Sequence, residues 1–303
     1  MTEPSRRPPI LVTGAGTGIG RAIVEHLSRE ACPVYATARK ASALDVLGRL
    51  PHVTALKLDV TRPDDAQGVA ERVRKARRGL HGLVNNAGTI DYWPLAGMGA
   101  DEIHRVVDVN LYGVHRVTRA LLPSLMKSRG RIVNISSIAG IGTWTNNGAY
   151  NVSKHALEAY SEVLAMELRP HGVRVSLIEP GNYESELLRK AAPLLRRRAK
   201  SSRASVMRAE ARRAMRKVEE YVDPNVKEAS PVAVAEVVFD ALYSDRPQAR
   251  YVVTPNKSEF LWPLESLFAR AAQVNEGSRY RLSVTQLRTL LDKQVRKAAR
   301  RRA

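Results

Sequence analysis

Tyr150 and Lys154, four residues apart, are the pairing in this chain with the most direct chemical use, and Ser137 stands upstream of them in Asn134-Ile135-Ser136-Ser137-Ile138-Ala139-Gly140. The pattern over 148–170 predicts a helix, and residues four apart on a helix share a face, so the phenol and the ammonium point into the same space. A free phenol has a pKa of about 10 and is a poor base at neutral pH, but a fixed neighbouring cation favours the phenolate and moves the pKa toward the working range. A phenol tuned in this way can exchange a proton with an alcohol or a carbonyl. Taken alone, a Tyr and a Lys at this spacing are an ordinary exposed pair. The chemical reading needs a ligand site and a hydroxyl beside the phenol, and the chain supplies both.

The elements that must position these groups alternate regularly. Pro9-Ile10-Leu11-Val12 is a short apolar run that ends in Thr13-Gly14-Ala15-Gly16-Thr17-Gly18-Ile19-Gly20, and the helical pattern Ile23, Val24, Leu27 follows. Strand, glycine-rich turn and helix are the context of a dinucleotide phosphate site: glycines let the backbone approach a pyrophosphate, and the helix N-terminus turns free N–H groups toward it. The spacing is Gly14-x-x-x-Gly18-x-Gly20 rather than the commoner Gly-x-Gly-x-x-Gly. Val34-Tyr35-Ala36-Thr37 predicts the next strand, whose end lies near the adenosine ribose in such a fold. There the chain has Ala38-Arg39-Lys40 and no carboxylate, which matches the 2′-phosphate of NADP better than the 2′-hydroxyl of NAD. The plainer reading, that Arg39 and Lys40 begin a surface loop, stays open.

Residues 56–60 alternate as a third strand, with Asp59 placed to meet a ligand edge beyond it. Leu83-Val84 is a fourth, ending in Asn85-Asn86-Ala87-Gly88. Residues 101–127 read as one long helix in which Asn110 is kept for a hydrogen bond, because a buried amide needs a partner. A fifth strand at 132–135 delivers Ser136 and Ser137, and a sixth at 173–178 ends at Glu179-Pro180-Gly181. Six strand-helix alternations predict an α/β fold with a doubly wound, mostly parallel sheet of Rossmann type, whose ligand crevice lies at the C-terminal strand ends.

The 303 residues suffice for one such domain with a C-terminal elaboration. A single cysteine, Cys32, excludes an intramolecular disulfide and a cysteine-built metal site, suits a reducing compartment, and reads as a buried structural thiol. Residues 1–9 contain no apolar core of signal-peptide length, and the expectation is a soluble, cytoplasmic protein. The formal charge is +19. Residues 186–220 hold 12 Lys/Arg against 4 Glu, a surplus of 8, and 293–302 add 6 more, so these two runs carry 14 of the 19 charges. Such patches attract phosphates, nucleic acid or anionic lipid without specifying which. No nucleic-acid reading motif accompanies them, so no specific nucleic acid is expected and solvated helix faces are the plainer reading.

Taken together and in order, Thr13-Gly14-x-x-x-Gly18-Ile19-Gly20, Asp59-Val60, Asn85-Asn86-Ala87-Gly88, Asn110, Ser137, Tyr150-x-x-x-Lys154 and Pro180-Gly181 resemble the short-chain dehydrogenase/reductase family, in its classical branch. The resemblance implies an NAD(P)-dependent oxidoreductase that moves a hydride between nicotinamide and a secondary alcohol or carbonyl without a metal. It implies that Tyr150 is the general acid/base, that Ser137 hydrogen-bonds the reacting oxygen, and that Lys154 lowers the Tyr150 pKa and holds the nicotinamide ribose. Asn110 would hold a water in a proton relay from Lys154. Gly14, Thr17, Gly18, Ile19, Gly20, Arg39, Asp59, Val60, Asn86, Ala87, Gly88, Pro180 and Gly181 would line the cofactor, with Tyr150 and Lys154. A homodimer or homotetramer is the implied assembly.

The chain departs from the family pattern in two places. Asn182-Tyr183-Glu184-Ser185 stands where a threonine often follows Pro-Gly, with Ser185 as the substitute hydroxyl, and Thr17 stands where many NADP-preferring members carry a basic residue. Residues 184–223 correspond to the family's variable substrate lid, here long and basic. The core domain is expected over 1–255 and a helical basic extension over 256–303. Residues 230–255 are similar to the hydroxysteroid and retinol dehydrogenase branch, which suggests a lipophilic substrate. The extension, with Phe260-Leu261-Trp262-Pro263-Leu264 and Leu267-Phe268, reads either as a packing helix with a frayed end or as a segment with peripheral affinity for anionic membranes. The alternative from another class is a non-catalytic NADP-binding regulator whose basic surface contacts nucleic acid or membrane.

Overall fold

The computed structural model describes residues 8–200, 207–223, 225 and 228–302. Its centre is a seven-stranded sheet in the order β3-β2-β1-β4-β5-β6-β7, parallel at every pairing. The strands are β1 (Ile10–Val12), β2 (Val34–Ala38), β3 (Val53–Lys57), β4 (Gly82–Asn85), β5 (Arg131–Ile135), β6 (Arg174–Pro180) and β7 (Arg250–Val253). β1, β2 and β4 are buried at every position, as near-continuous apolar strands must be when helices cover both faces of a parallel sheet.

On one face pack α1 (Gly18–Arg29), α2 (Ala41–Leu47) and α9 (Val232–Tyr243), through Ile23, Val24, Leu27, Leu47, Val238 and Leu242. On the other pack α3 (Pro63–Lys75), α5 (Gly113–Lys127) and α6 (Gly148–Leu168), through Val69, Val73, Leu121, Leu125 and Leu168. Strand order reverses between β1 and β4, and the crevice beyond their C-terminal ends is where such a sheet takes its ligand.

Two local expectations are corrected. The third strand is 53–57 and not 56–60, because Asp59 ends it: its carboxylate accepts from the Thr61 amide at 3.0 Å and the Thr61 hydroxyl at 2.7 Å, turning the chain out of the sheet. The single helix over 101–127 is interrupted: α4 (Ala100–Val107) passes through a π turn at Asp108–Tyr112 before α5. Asn110 sits in that turn, and π turns recur at functional sites.

Beyond β6, α7 (Leu187–Lys200) and α8 (Arg208–Val222) fall in the expected lid region, 184–223, of which residues 201–206 lie outside the described residues. Trp93, Ala192, Leu195, Ala211 and Val218 make its core. The Arg198 guanidinium forms a two-pronged bond to the Asp91 carboxylate, both contacts at 2.8 Å, and lies 5.2 Å from the Trp93 ring. α10 (Lys257–Glu276) returns to the body by setting Trp262 edge-on to Trp144 at 4.7 Å, and α11 (Val284–Arg302) follows. Cys32 is buried under α9, where Tyr243 donates to its sulfur at 3.2 Å. Among the described residues, no helix is long and apolar enough to cross a membrane.

Candidate active site

The end of β5 and the first turns of α6 bring Ser137, Tyr150 and Lys154 together. Ser137 starts a short 3-10 turn, and its hydroxyl accepts from the Ala139 amide at 3.1 Å, which fixes its rotamer. The Ser137 hydroxyl lies beside the Tyr150 phenol and favours its ionised form. Lys154 donates to the Ile135 carbonyl at 2.8 Å and lies 5.5 Å from the centre of the Tyr150 ring. A buried polar ladder locks these elements in register: Asn85 donates to Thr118 at 3.0 Å and to Asn134 at 2.9 Å, and Asn134 donates to Ser161 on α6 at 2.8 Å. Buried networks of this kind favour one arrangement, here with the Asn85 Oδ1 left without a partner among the described residues.

The electrostatics run against the expectation that Lys154 pulls the phenol down. Burial pushes Tyr150 up to about 12, offset in part by the Ser137 bond. Burial also brings Lys154 down from 10.5 to about 8, offset in part by Glu158. Both groups are desolvated together, and the ammonium is directed at a backbone carbonyl, so removal from water outweighs their mutual attraction. The phenol therefore holds its proton at neutral pH.

The glycine loop has the shape that phosphate binding requires. Gly14 has φ +66° and Gly18 φ +56°, and a Cβ on Gly14 would lie 2.7 Å from the Ala87 Cα. The Thr13 hydroxyl accepts from the Asn86 amide at 2.9 Å and the Ala87 amide at 3.0 Å, while the Asn86 side chain donates to the carbonyls of Thr13 and Gly14 at 3.0 and 3.1 Å. These bonds hold the loop after β4 against the glycine loop. Thr17 starts α1 with no side-chain cap and no acidic residue in the first turn, so the helix offers its N–H groups and its positive end to an anion. The chain's own groups thus fit a dinucleotide pyrophosphate.

The remaining expected residues fall around this crevice. Arg39, at the end of β2, is 3.8 Å from the Asp59 carboxylate and largely exposed. Burial pulls the Asp59 pKa upward, but the Thr61 bonds and the Arg39 charge outweigh it and hold the carboxyl below its ordinary value. Ile19 and Gly20 open α1. Val60 packs inward, and Gly113 leaves no room for a side chain against it: a Cβ there would be 2.7 Å from the Val60 Cγ2. Gly88 approaches Asn110, whose oxygen accepts from the Thr89 amide at 2.8 Å and whose amide donates to the Thr89 carbonyl and to Ser153, each at 2.9 Å. The Asn110 side chain therefore clamps the β4 loop to α6, and its bonds go to Thr89 and Ser153 rather than to Lys154. Pro180 ends β6, and the Gly181 amide donates to Val253 at 2.7 Å. The Ser185 hydroxyl accepts from the Leu187 amide at 3.2 Å at the start of α7.

Three features escaped the sequence reading. Tyr221 of α8, whose ionisation burial and the bond to Glu228 already oppose, comes close enough to Tyr150 for the Tyr150 charge to oppose it further. Behind Lys154, the fully buried Glu179 and the nearly buried Glu158 both pair with Arg250 of β7, the Glu158 contact being 2.5 Å. Lys190 of α7 donates to the Thr17 hydroxyl at 2.9 Å across 173 residues of sequence. No spacing rule connects positions that far apart.

The parallel sheet, its strand reversal and the glycine loop feeding an uncapped helix define a dinucleotide-binding α/β protein. More narrowly, residues 9–194 match the short chain dehydrogenase family, and the chain belongs to it. It is 39% identical over 180 residues to NADPH-dependent 1-acyldihydroxyacetone phosphate reductase of Schizosaccharomyces pombe, covering 59% of this chain and 60% of that one. It is 39% identical over 183 residues to retinol dehydrogenase 5 of Mus musculus, covering 58% and 57%. The chain thus spans less than two thirds of the length of these curated relatives. A short chain dehydrogenase/reductase of Burkholderia phymatum, solved in complex with NAD, superposes with a TM-score of 0.74 at 25% identity, covering 91% of this chain and 97% of that one.

Proposed function

We propose that the chain is an NADP-dependent carbonyl reductase acting on a lipophilic ketone and its secondary alcohol. The observation that carries this reading is the placement of the Ser137 hydroxyl, the Tyr150 phenol and Lys154 together at the same sheet edge as the glycine loop. A nicotinamide dinucleotide, when bound, supplies or accepts the hydride. Ser137 turns its O–H toward the Tyr150 oxygen in the ligand-free site, and the same O–H can donate to a substrate oxygen bound between the two. Tyr150, protonated at neutral pH because burial raises its pKa, gives its proton to that oxygen as the alcohol forms. A protonated phenol is the form that reduction of a carbonyl requires. Lys154 would hold the ribose side of the cofactor, and its positive charge stabilises the phenolate that remains after the proton has left. Asn110 acts as a positioning residue, through Thr89 and Ser153.

The apolar lid, with Leu188, Ala191, Leu195 and Val222, and the names of the two curated relatives support a lipophilic substrate. Arg39 at the end of β2 supports NADP over NAD. We also propose a cytoplasmic homo-oligomer, supported by the exposed Val163 and Met166 on α6, that meets anionic membranes peripherally. On α11 Leu287, Leu290, Leu291 and Val295 share a face beside Arg288, Lys293 and Lys297, which is the composition of an interfacial helix. Sedimentation with anionic liposomes at low salt is expected to bring the protein down, and its absence from the pellet would remove the membrane contact.

The central test is Tyr150→Phe in an NADPH-coupled screen of lipophilic ketones. Turnover should fall by about two orders of magnitude or more, while NADPH affinity stays within about twofold, since the ring is kept. Turnover near the wild-type rate would refute the role of Tyr150. Steep salt-dependent nucleic-acid binding without any turnover would instead favour the non-catalytic reading.

A further inference from the structure

The glycine loop carries Thr17 and no cation of its own, yet a cation reaches it from the lid. Lys190, on the second turn of α7, donates to the Thr17 hydroxyl at 2.9 Å. Its ammonium also senses two further cations. Burial is the main cause of its lowered pKa, and the charges of Lys40 and Arg39 lower it further, against an opposing pull from Glu186. Arg39 follows β2 and Lys40 precedes α2, and the loop lies directly on this corner: a Cβ on Gly16 would be 3.2 Å from that of Ala43 and 3.7 Å from that of Ala38.

Lys190, bonded to Thr17 in the glycine loop, and Arg39 and Lys40, on the corner against which Gly16 packs, thus flank the same loop. The carboxylates facing them are Glu186 and Asp59, and Asp59 is held by Thr61 with Arg39 at the looser distance of 3.8 Å. Like charges gathered at one corner are unfavourable unless an anion joins them. In this fold the corner beyond the second strand receives the adenosine ribose, whose 2′-substituent alone distinguishes NADP from NAD.

We infer that Lys190 completes, with Arg39 and Lys40, a site for the 2′-phosphate of NADP, so that the lid helix itself reads the cofactor's phosphate. The inference rests on the proposed NADP-binding function and deepens it. It also links two events that are otherwise separate: an ammonium carried on α7 and bonded to a dianion holds the lid against the glycine loop. By linkage, NADP then favours the closed lid as much as the closed lid favours NADP.

The experiment measures dissociation constants by nucleotide fluorescence for NADPH and NADH, and by calorimetry for adenosine 2′,5′-bisphosphate, in wild type, Lys190→Ala, Lys190→Arg and Arg39→Ala. Lys190→Ala should weaken NADPH and the bisphosphate by about tenfold, the worth of one charge-assisted hydrogen bond in a partly exposed site. NADH affinity should change by less than about twofold, and Lys190→Arg should recover most of the loss. Lys190 is exposed, so the unliganded melting temperature of Lys190→Ala serves as the folding control. Equal weakening of NADPH and NADH would overturn the inference, because the ammonium would then serve the pyrophosphate or the lid alone. So would a loss of NADPH preference in Arg39→Ala with none in Lys190→Ala, which leaves the NADP reading standing. No preference for NADPH in wild type would remove that reading and this inference together.

Discussion

Lys154→Met exposes the energetics of the site in the ligand-free protein. Burial takes Lys154 from 10.5 to about 8. At about 1.4 kcal/mol per pKa unit, keeping the ammonium charged in the folded state at pH 7 costs about 3 kcal/mol. Methionine keeps the unbranched chain and removes the charge, at the loss of the bond to the Ile135 carbonyl, worth roughly 1 to 2 kcal/mol. The variant is therefore expected to be more stable than wild type by about 1 to 2 kcal/mol at pH 7, despite losing turnover. The sign of the pH dependence follows from the folded pKa lying below the unfolded one. Between pH 8 and 10.5 the unfolded chain keeps a proton that the folded chain has released, so wild-type stability rises with pH across that window. Tyr150 acts oppositely above pH 10, where its raised pKa costs stability, but it does so in both proteins and cancels in the difference. Urea unfolding at pH 7, 8, 9 and 10 should show the variant's advantage falling by about 2 kcal/mol or more, ending at or below zero. A difference that stays flat across this range would show that Lys154 is not desolvated, and would refute the account of the site's charges.

Ser137→Ala removes the hydroxyl donor beside the Tyr150 phenol; kcat should fall by about tenfold to a hundredfold with NADPH affinity unchanged, and a kcat near wild type would exclude Ser137 from the reaction. Arg250→Met leaves Glu179 and Glu158 in the interior without this cation, so urea unfolding at pH 7 should register a loss of about 3 to 5 kcal/mol, recovered in part as acid protonates Glu158, whose pKa burial already raises. Arg198→Met breaks the buried pair with Asp91 that fastens α7 to the segment after β4. Limited proteolysis should then cut within 187–222 several times faster than in wild type, and an unchanged digestion rate would show that the apolar contacts of Trp93 and Leu195 suffice to hold the lid.

The doubly wound sheet was legible in the chain because each strand is a short apolar run closed by a glycine or polar turn, and β1 and its loop carry both signals within eleven residues, 10–20. The Tyr150, Lys154 and Ser137 cluster was legible too, because it needs only a helical period and one strand end. Register errors arose where a side chain overrode the pattern: Asp59 stopped β3 early, and the π turn at Asn110 broke a helix that apolar spacing alone would have carried through. The charge state of the site was a matter for the tertiary structure. A neighbouring cation lowers a phenol's pKa in water, but here both groups are buried together and desolvation dominates.

Long-range polar contacts were beyond the sequence for the same reason. The bond from Lys190 to Thr17, the Arg250 pairing with Glu158 and Glu179, and the Arg198 clamp on Asp91 join positions that no local period relates. Backbone periodicity and turn chemistry act over a few residues, so the chain by itself determined the order of strands and helices and the groups presented at the sheet edge. Packing in three dimensions decided which of those groups lose their water and which distant cations share a corner, and on those two outcomes the site's protonation and its preference among cofactors depend.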